Sequence, residues 1–465
     1  MNVHAPLPTT YKFPPSAFLV QKLTAALFIE NERAYCLNEL GTGKTRSILF
    51  AFDALKKAGV VQRLLVICPL TAMKRTWWRE VKREFPWLTV TILYGSKQQR
   101  EQKLMHKADV YVINHDGLKV LESQLSSRHD INAICADEIA VYRNGRAERT
   151  KIFRDFVRGK LYVWGLTGSP IPRAVTDVWG PCSCITPHTV PKWFTIFRDQ
   201  LMIKATQFRW EPKPHAEERA VACMQPSVRF RLDEVTELPP RVINYYDAPL
   251  SPKQEYVYES MRKGALALVG SDKIDALNAG AILSKLLQIA IGYVYTRDGK
   301  TVALPNTPRL QLILDLIDST AHKVLLFAPY KSVVKALSQM LADNQIDHAV
   351  ITGDTLLSKR NEIFNAFQET RDLKVICAHP ACMAHSLTLT RATTTIWAGP
   401  VTSLEIFTQA NARTYRVGQQ HKTLIAMVGG TPAERKIYKL LGRNEALQNR
   451  FLEIMEDITE DYALE

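Results

Sequence analysis

Two short segments carry residue types spaced for phosphate chemistry. The first, Glu39 to Thr45, reads ELGTGKT. Gly41 and Gly43, flanking Thr42, let backbone N–H groups approach phosphate oxygens, and a helix opening at Lys44 would add the positive end of its dipole. Lys44 would then meet the β- and γ-phosphates of a nucleotide, and Thr45 a Mg²⁺ ion. The second, Gln409 to Gln419, reads QANARTYRVGQ. It sets Arg413 and Arg416 three apart, on one face if the segment is helical. Arginine keeps its charge and presents a rigid donor fork to phosphate. Beside a γ-phosphate, it neutralises charge developing in the transition state, an effect of about 10³ to 10⁵ in rate. Plainer readings exist for each: a glycine turn before a helix, and a solvated or DNA-contacting basic helix. For the first segment, the preceding apolar run and the following helical pattern favour the phosphate loop.

Three further segments fit the same chemistry. AICADEIA places Asp137 and Glu138 at the end of an apolar run. Adjacent carboxylates at a strand end can serve one ion and one water, Asp137 near Mg²⁺ and Glu138 polarising the attacking water. LTGSP, Leu166 to Pro170, offers the Thr167 and Ser169 hydroxyls at another strand end, though alone it is a common turn. Gln21 precedes the phosphate loop by a helix length, and its amide can pair with adenine as donor and acceptor.

These residues need a frame that brings them together. In the first half, apolar runs at 33–37, 64–68, 89–93, 109–114, 133–137 and 161–168 read as strands. They mostly lack period-two alternation, as expected of parallel strands buried on both faces. Helical patterns lie between them, for example at 44–58 and 74–85, so the first half reads as a doubly wound α/β domain. A second series begins near Lys323 with KVLLFAP, HAVITGD, LKVICA and TTTIWAG as strands, and with helices at 331–344 and 360–368. The expected organisation is an α/β domain over 1–185, a mostly helical insertion and linker over 186–307, and a second α/β domain over 308–465. The middle segment is set apart by its prolines and by long helical stretches at 251–269 and 273–291.

Composition narrows the class. The chain has 465 residues, long enough for two or three domains, and its formal net charge of +14 draws it to polyanions. Of eight cysteines, Cys36, Cys68, Cys135 and Cys377 sit in strand-like runs and read as small buried hydrophobes. Cys182 and Cys184 read as neighbours on one side of a possible strand. No CxxC pair occurs, which argues against a zinc ribbon or a redox pair. The first residues lack the basic start and apolar core of a signal peptide, and no apolar run approaches about 18 residues. A cytoplasmic protein, of a bacterial cell or a phage-infected host, is expected.

Taken together, the segments resemble the superfamily-two helicases, and among them the Swi/Snf-type DNA translocases, over nearly the whole chain. QANARTYRVGQ looks like that group's QAxxRxxRxGQ signature. LVICPLTAMKRTWWREVKREF resembles its block with a proline at a strand end and a Trp-x-x-Glu unit, here Trp77 and Glu80. LTGSP resembles its LTGTP block. VRFRLDEVTELPPR with LSPKQEYVY resembles the segment connecting the two motor domains. The compact size looks most like short phage and bacterial members. The resemblance implies two RecA-like parallel-sheet domains and gives Gln21, Lys44, Thr45, Asp137, Glu138, Arg413 and Arg416 the roles above. Gln409 would help order water or phosphate. It further implies ATP and Mg²⁺ as ligands, duplex or branched DNA as partner, and an ATP-dependent translocase or helicase, with protein cargo on DNA as an alternative and no membrane. DNA contacts would fall at Lys74 and Arg75 and at Thr352 and Gly353. The chain departs from the family at three places. Ala140 stands where the acidic box usually has histidine, the block Ala384 to Leu389 replaces Gly-x-Gly-Leu-Asn-Leu, and Asn38 with Glu39 replaces the usual aspartate. The altered Ala384 to Leu389 block motivates one rival reading, a nucleic-acid-binding adaptor with a weakened motor; an RNA helicase is another, against which QANARTYRVGQ argues.

Overall fold

A computed structural model describes residues 11–443 apart from 173, 206–209, 236, 270–275, 297, 299, 371 and 384–387. The chain forms two compact units that divide between Glu237 and Leu238.

The first unit is built on β1 (Arg33–Cys36), β2 (Arg63–Cys68), β3 (Val90–Ile92), β4 (Val110–Asn114), β5 (Ile131–Asp137) and β6 (Tyr162–Leu166). A hairpin of β7 (Met202–Lys204) and β8 (Trp210–Pro212) follows, and then β9 (Ser227–Val228). The sheet order is β3-β4-β2-β5-β6-β1-β9, with every pair parallel. Both faces are covered: Tyr35, Leu65, Ile67, Tyr111 and Ile134 pack into one cluster, and Cys36, Leu64, Val66, Cys68 and Cys135 into another. Double burial explains why the strands read as unbroken apolar runs. It also keeps the thiols protonated, with burial pushing Cys36 up to about 11.

The second unit contains β10 (Arg241–Asp247), the hairpin β11 (Tyr293–Tyr295) and β12 (Thr301–Ala303), then β13 (Lys323–Phe327), β14 (His348–Ile351), β15 (Val375–Ala378), β16 (Ala392–Trp397) and β17 (Thr423–Gly429). Its sheet order is β10-β17-β16-β13-β15-β14, again parallel throughout. A buried ion pair fastens one end of it. Arg309 and Glu434 lie 3.0 Å apart, and the Arg309 guanidinium also donates to the Ala398 and Val428 carbonyls. Removing one partner would leave a buried charge uncompensated, so this lock holds the strand ends rigidly.

Two local expectations change. Segment 186–307 is shared between the units, because β9 pairs with β1 in the first sheet and β10 pairs with β17 in the second. The helices Pro252–Val269 and Ala276–Ile291 belong to the second unit. Cys182 and Cys184 lie on the helix Trp179–Ile185, not on a strand. All seven residues of that helix are buried, so an apolar run with no helical periodicity could not be told from a strand. No described helix is long and apolar enough to cross a membrane.

Candidate nucleotide site

Strand order sets the site. In the first sheet β6 lies between β5 and β1, and its Leu166 pairs with both Asp137 and Cys36. The loops after β1, β5 and β6 therefore leave the sheet side by side at its carboxyl end, where ligands of open parallel sheets bind.

The loop after β1 turns on two glycines in the left-handed region, Gly41 at φ 93° and Gly43 at φ 86°. A β-carbon at Gly43 would lie 2.1 Å from Gln21 Nε2, so the Gln21 side chain is packed directly on the loop. Gln21 Oε1 accepts the Phe18 N–H at 3.1 Å and keeps a second lone pair. Lys44, the first residue of the helix Lys44–Lys57, folds its ammonium onto the carbonyls of Asn38 at 2.8 Å and Glu39 at 3.1 Å. The Thr42 hydroxyl donates to the same Glu39 carbonyl at 2.9 Å. Thr45 follows in the first helical turn, half-buried. Asn38 has a structural task at its unusual position: its buried amide donates to Thr24 Oγ1 at 3.0 Å and accepts the Phe230 N–H at 2.9 Å. It thereby ties the loop to the helix Leu19–Glu30 and to the chain after β9.

Asp137 ends β5 and accepts the Trp77 indole N–H at 2.9 Å. Trp77 is fully buried on a π-helical turn, Met73–Trp78, a widened form often found at functional sites. Burial raises the Asp137 carboxyl above the usual range, opposed by the Trp77 hydrogen bond and by the positive charge of Lys44. The next residue, Glu138, is half-buried with φ 59°, an uncommon backbone for a side chain with a β-carbon. Such a conformation costs on the order of 1–3 kcal/mol and clusters at active sites. The third loop packs on the first, since a β-carbon at Gly168 would lie 3.3 Å from Leu40 Cγ. Thr167 is buried and closes its own turn, its hydroxyl accepting the Ser169 N–H at 3.1 Å. Glu80 accepts from Arg46 at 2.9 Å, joining the helix behind the phosphate loop to the helix that follows Trp77.

The arginine segment departs from expectation. The helix Leu404–Asn411 stops before either arginine, so Arg413 and Arg416 lie in the turns after it and not on one helical face. Asn411 anchors the helix end by accepting the Trp397 indole N–H at 3.0 Å. Gly418, at φ 95°, turns the chain back toward β17. Arg413 is buried and its Nε donates to the Gln409 carbonyl at 2.7 Å, while Arg416 is half-buried. Gln409 is buried beside Glu405, to which its amide donates at 3.4 Å. The residue that sequence reasoning left without a role is Gln419. Its buried Nε2 is shared among the carbonyls of Thr390 and Ala392 at 3.1 Å and Thr414 at 3.0 Å. Its Oε1 accepts the N–H groups of Gln420 and His421 at 3.0 Å. The only signal for it was the closing glutamine of the signature. In the unusual block before this segment, residues 384–387 lie outside the described residues. Leu389 is buried, and its N–H donates to the Arg413 carbonyl at 2.9 Å.

The expected nucleic-acid contacts fall after parallel strands of different units. Lys74 is exposed and Arg75 half-buried on the π-helical turn after β2, where burial and the neighbouring Arg79 push the Arg75 guanidinium down to about 10. Thr352 and Gly353 form the turn after β14, braced by Arg360, which donates to their carbonyls at 2.8 and 3.1 Å. Beside them Lys331 pairs with Asp354 at 2.9 Å.

Comparison with known proteins follows from this geometry. The family model for the SNF2-related domain matches residues 34–291, and that for the helicase conserved C-terminal domain matches residues 308–418. The ATP-dependent helicase MG018 of Mycoplasma genitalium is 22% identical over 430 residues, covering 90% of this chain and 40% of that protein. Protein p41 of Acyrthosiphon pisum secondary endosymbiont phage 1 is 24% identical over 314 residues, covering 62% of this chain and 66% of that one. The chain thus spans between two fifths and two thirds of these relatives. Among solved structures, the Sulfolobus solfataricus SWI2/SNF2 ATPase core in complex with dsDNA is similar at 20% identity and a TM-score of 0.46, covering 94% of this chain and 93% of that chain. With one family model matched over more than half its length and the second over the arginine segment, the chain belongs to the SNF2-related helicase family.

Proposed function

We propose that the chain is a DNA-stimulated ATPase that translocates on duplex or branched DNA. The observation that carries this reading is the convergence of Lys44 and Asp137 at a glycine loop, with Asp137 held by Trp77. The residues present fit ATP·Mg²⁺. The Lys44 ammonium rests on backbone carbonyls, partners that phosphate oxygens can replace, and Gly41 and Gly43 turn the loop through left-handed backbone. Lys44 and the loop N–H groups would hold the phosphates, Thr45 and Asp137 the metal, and Gln21 the base. The bound metal would neutralise charge on the phosphates. Glu138 orients and polarises the attacking water. Gln409 and Arg413 support Arg416, the more accessible arginine, as the group that meets the γ-phosphate. Lys74, Arg75, Thr352 and Gly353 contact the DNA backbone. The name of the Mycoplasma genitalium relative carries ATP-dependent helicase activity, which supports the reading.

The test is ATP turnover measured without nucleic acid and with duplex, single-stranded and forked DNA and with RNA. Duplex or forked DNA should stimulate most, and Lys44→Ala should abolish the stimulated rate while leaving DNA binding intact. Turnover that ignores nucleic acid, or survives Lys44→Ala, would favour an adaptor with a weakened motor; preference for RNA would favour an RNA helicase. Triplex displacement without strand separation would identify movement along intact duplex.

A further inference from the structure

The two sheets begin alike and are neutralised differently. Where β2 and β4 of the first sheet start, cations meet carboxylates, although Arg33, opening β1, donates to the Val157 and Lys160 carbonyls. Arg63, opening β2, pairs with Asp130 at 2.5 Å; Arg128 pairs with the same carboxylate at 2.6 Å; and Lys56 pairs with Asp109, just before β4, at 2.9 Å. Arg128 and Arg63 together pull the Asp130 carboxyl down to about 2.

The amino ends of the second sheet carry a row of cations without that partnering. Lys323 opens β13, and Lys374, Arg391 and Lys422 immediately precede β15, β16 and β17. The strand registers bring them to one level: Val324 pairs with Val375, Lys323 with Ala392, and Thr394 with Leu424. Four adjacent strands place the row across about 14 Å. His322 and His421 lie on the same edge with ring centroids 4.4 Å apart. The Lys323 ammonium donates to the Thr370 carbonyl at 2.5 Å and that of Lys374 to the Thr320 carbonyl, both neutral partners. Asp372 and Asp318 are the carboxylates felt by Lys323 and Lys374, yet among the described residues no ion pair joins the row to an acid. Burial lowers the affinity of both amines for their protons, and Arg391 adds like-charge repulsion at Lys323. Among the described residues no large exposed hydrophobic side chain interrupts the row. A protein partner would want an apolar centre and few lysines. A phosphate backbone is held largely by cations, which neutralise its charge whatever the base sequence.

We infer that the amino edge of the second sheet, centred on Lys323, Lys374, Arg391 and Lys422, is a second nucleic-acid backbone site, on the side of that sheet opposite the turn at Thr352 and Gly353. It engages phosphates without reading sequence. The site goes beyond the motor reading and does not depend on ATP hydrolysis.

The test uses the full chain and a fluorescent duplex without nucleotide, titrated across salt concentrations. The variant is Arg391→Gln with Lys422→Gln, two exposed side chains whose loss should not disturb folding. Its control, Lys119→Gln with Arg158→Gln, removes the same charge from the surface of the first unit. At about 0.1 M salt the edge variant should bind about tenfold more weakly, and its plot of log affinity against log salt should flatten by about 2, one release of counterions per lost contact. ATP turnover without DNA should be unchanged. Equal slopes for variant and wild type, or equal losses in the control, would overturn the proposal. Polyglutamate binding that depends on Arg391 and Lys422 while duplex binding does not would assign the edge to an acidic protein instead. Loss of turnover in Lys44→Ala with the edge effect intact separates this site from the motor.

Discussion

The phosphate loop of the first unit and the arginine turn of the second are held by different kinds of bond. The loop grows out of a regular frame: β1 delivers it, two glycines turn it, and the helix Lys44–Lys57 receives it. Its side-chain links, Asn38 to Thr24 and Thr42 to the Glu39 carbonyl, secure a path that backbone geometry already defines. The arginine turn has no such frame. Between the helix Leu404–Asn411 and β17 the chain is irregular, and the amides of Asn411 and Gln419 supply partners that a helix or sheet would otherwise provide. Regular backbone makes a stiff cradle for a ligand, whereas a knot of side-chain amides can place a cation off the end of a helix.

The sharpest break of this comparison lies between the two arginines. Arg416→Ala should lower stimulated turnover by about 10³ or more while nucleotide binding and thermal stability hold. Arg413→Ala should also lose stability, because its buried Nε braces the Gln409 carbonyl. Equilibrium nucleotide binding beside thermal melts of both variants would decide. Equal destabilisation by the two would mean that neither acts as a finger apart from its structural part.

Trp77→Phe tests the framed side. The ring volume stays nearly filled, but Asp137 loses its donor. Turnover should fall about 10–100-fold, as for other outer-shell partners of a ligating carboxylate, with an accompanying rise in the Mg²⁺ concentration needed. An unchanged metal requirement would remove Asp137 from the metal's side of the site.

Gln419→Ala should have the smallest effect on chemistry and a plain one on folding. It leaves buried carbonyls of Thr390, Ala392 and Thr414 short of a donor, at a cost of about 1–3 kcal/mol. Urea unfolding of the variant should report that loss, and Gln419→Glu should not restore it, since a carboxylate cannot donate. Full stability in either variant would mean the turn is framed by its backbone after all.

Much of this molecule is legible in its residues. Doubly buried strands produce unbroken apolar runs, and ten of the parallel strands were placed from that pattern alone. β9 has two residues and β10 has no buried one, so neither shows the same signal, whereas β17, buried almost throughout, carries it and was not placed. ELGTGKT was legible because the turn it makes depends on backbone type, which glycine reports directly. QANARTYRVGQ was legible as a basic segment but not as a turn, because the stop at Asn411 depends on Trp397, a partner on another strand.

The sequence by itself determined two parallel-sheet units, a glycine loop opening a helix, an acidic pair at a strand end and an excess of positive charge. Tertiary structure alone decided which of those charges are neutralised. Asp130 and Asp109 pair with cations at the amino edge of the first sheet, whereas among the described residues no carboxylate forms an ion pair with Lys323, Arg391 or Lys422 in the second. It also decided that Trp77 serves Asp137 across 60 positions and that Gln419 bridges three carbonyls. The reason is physical. Burial and turn chemistry act on neighbours along the chain, whereas ion pairs and buried hydrogen bonds act over a few ångströms between groups that only strand order brings together.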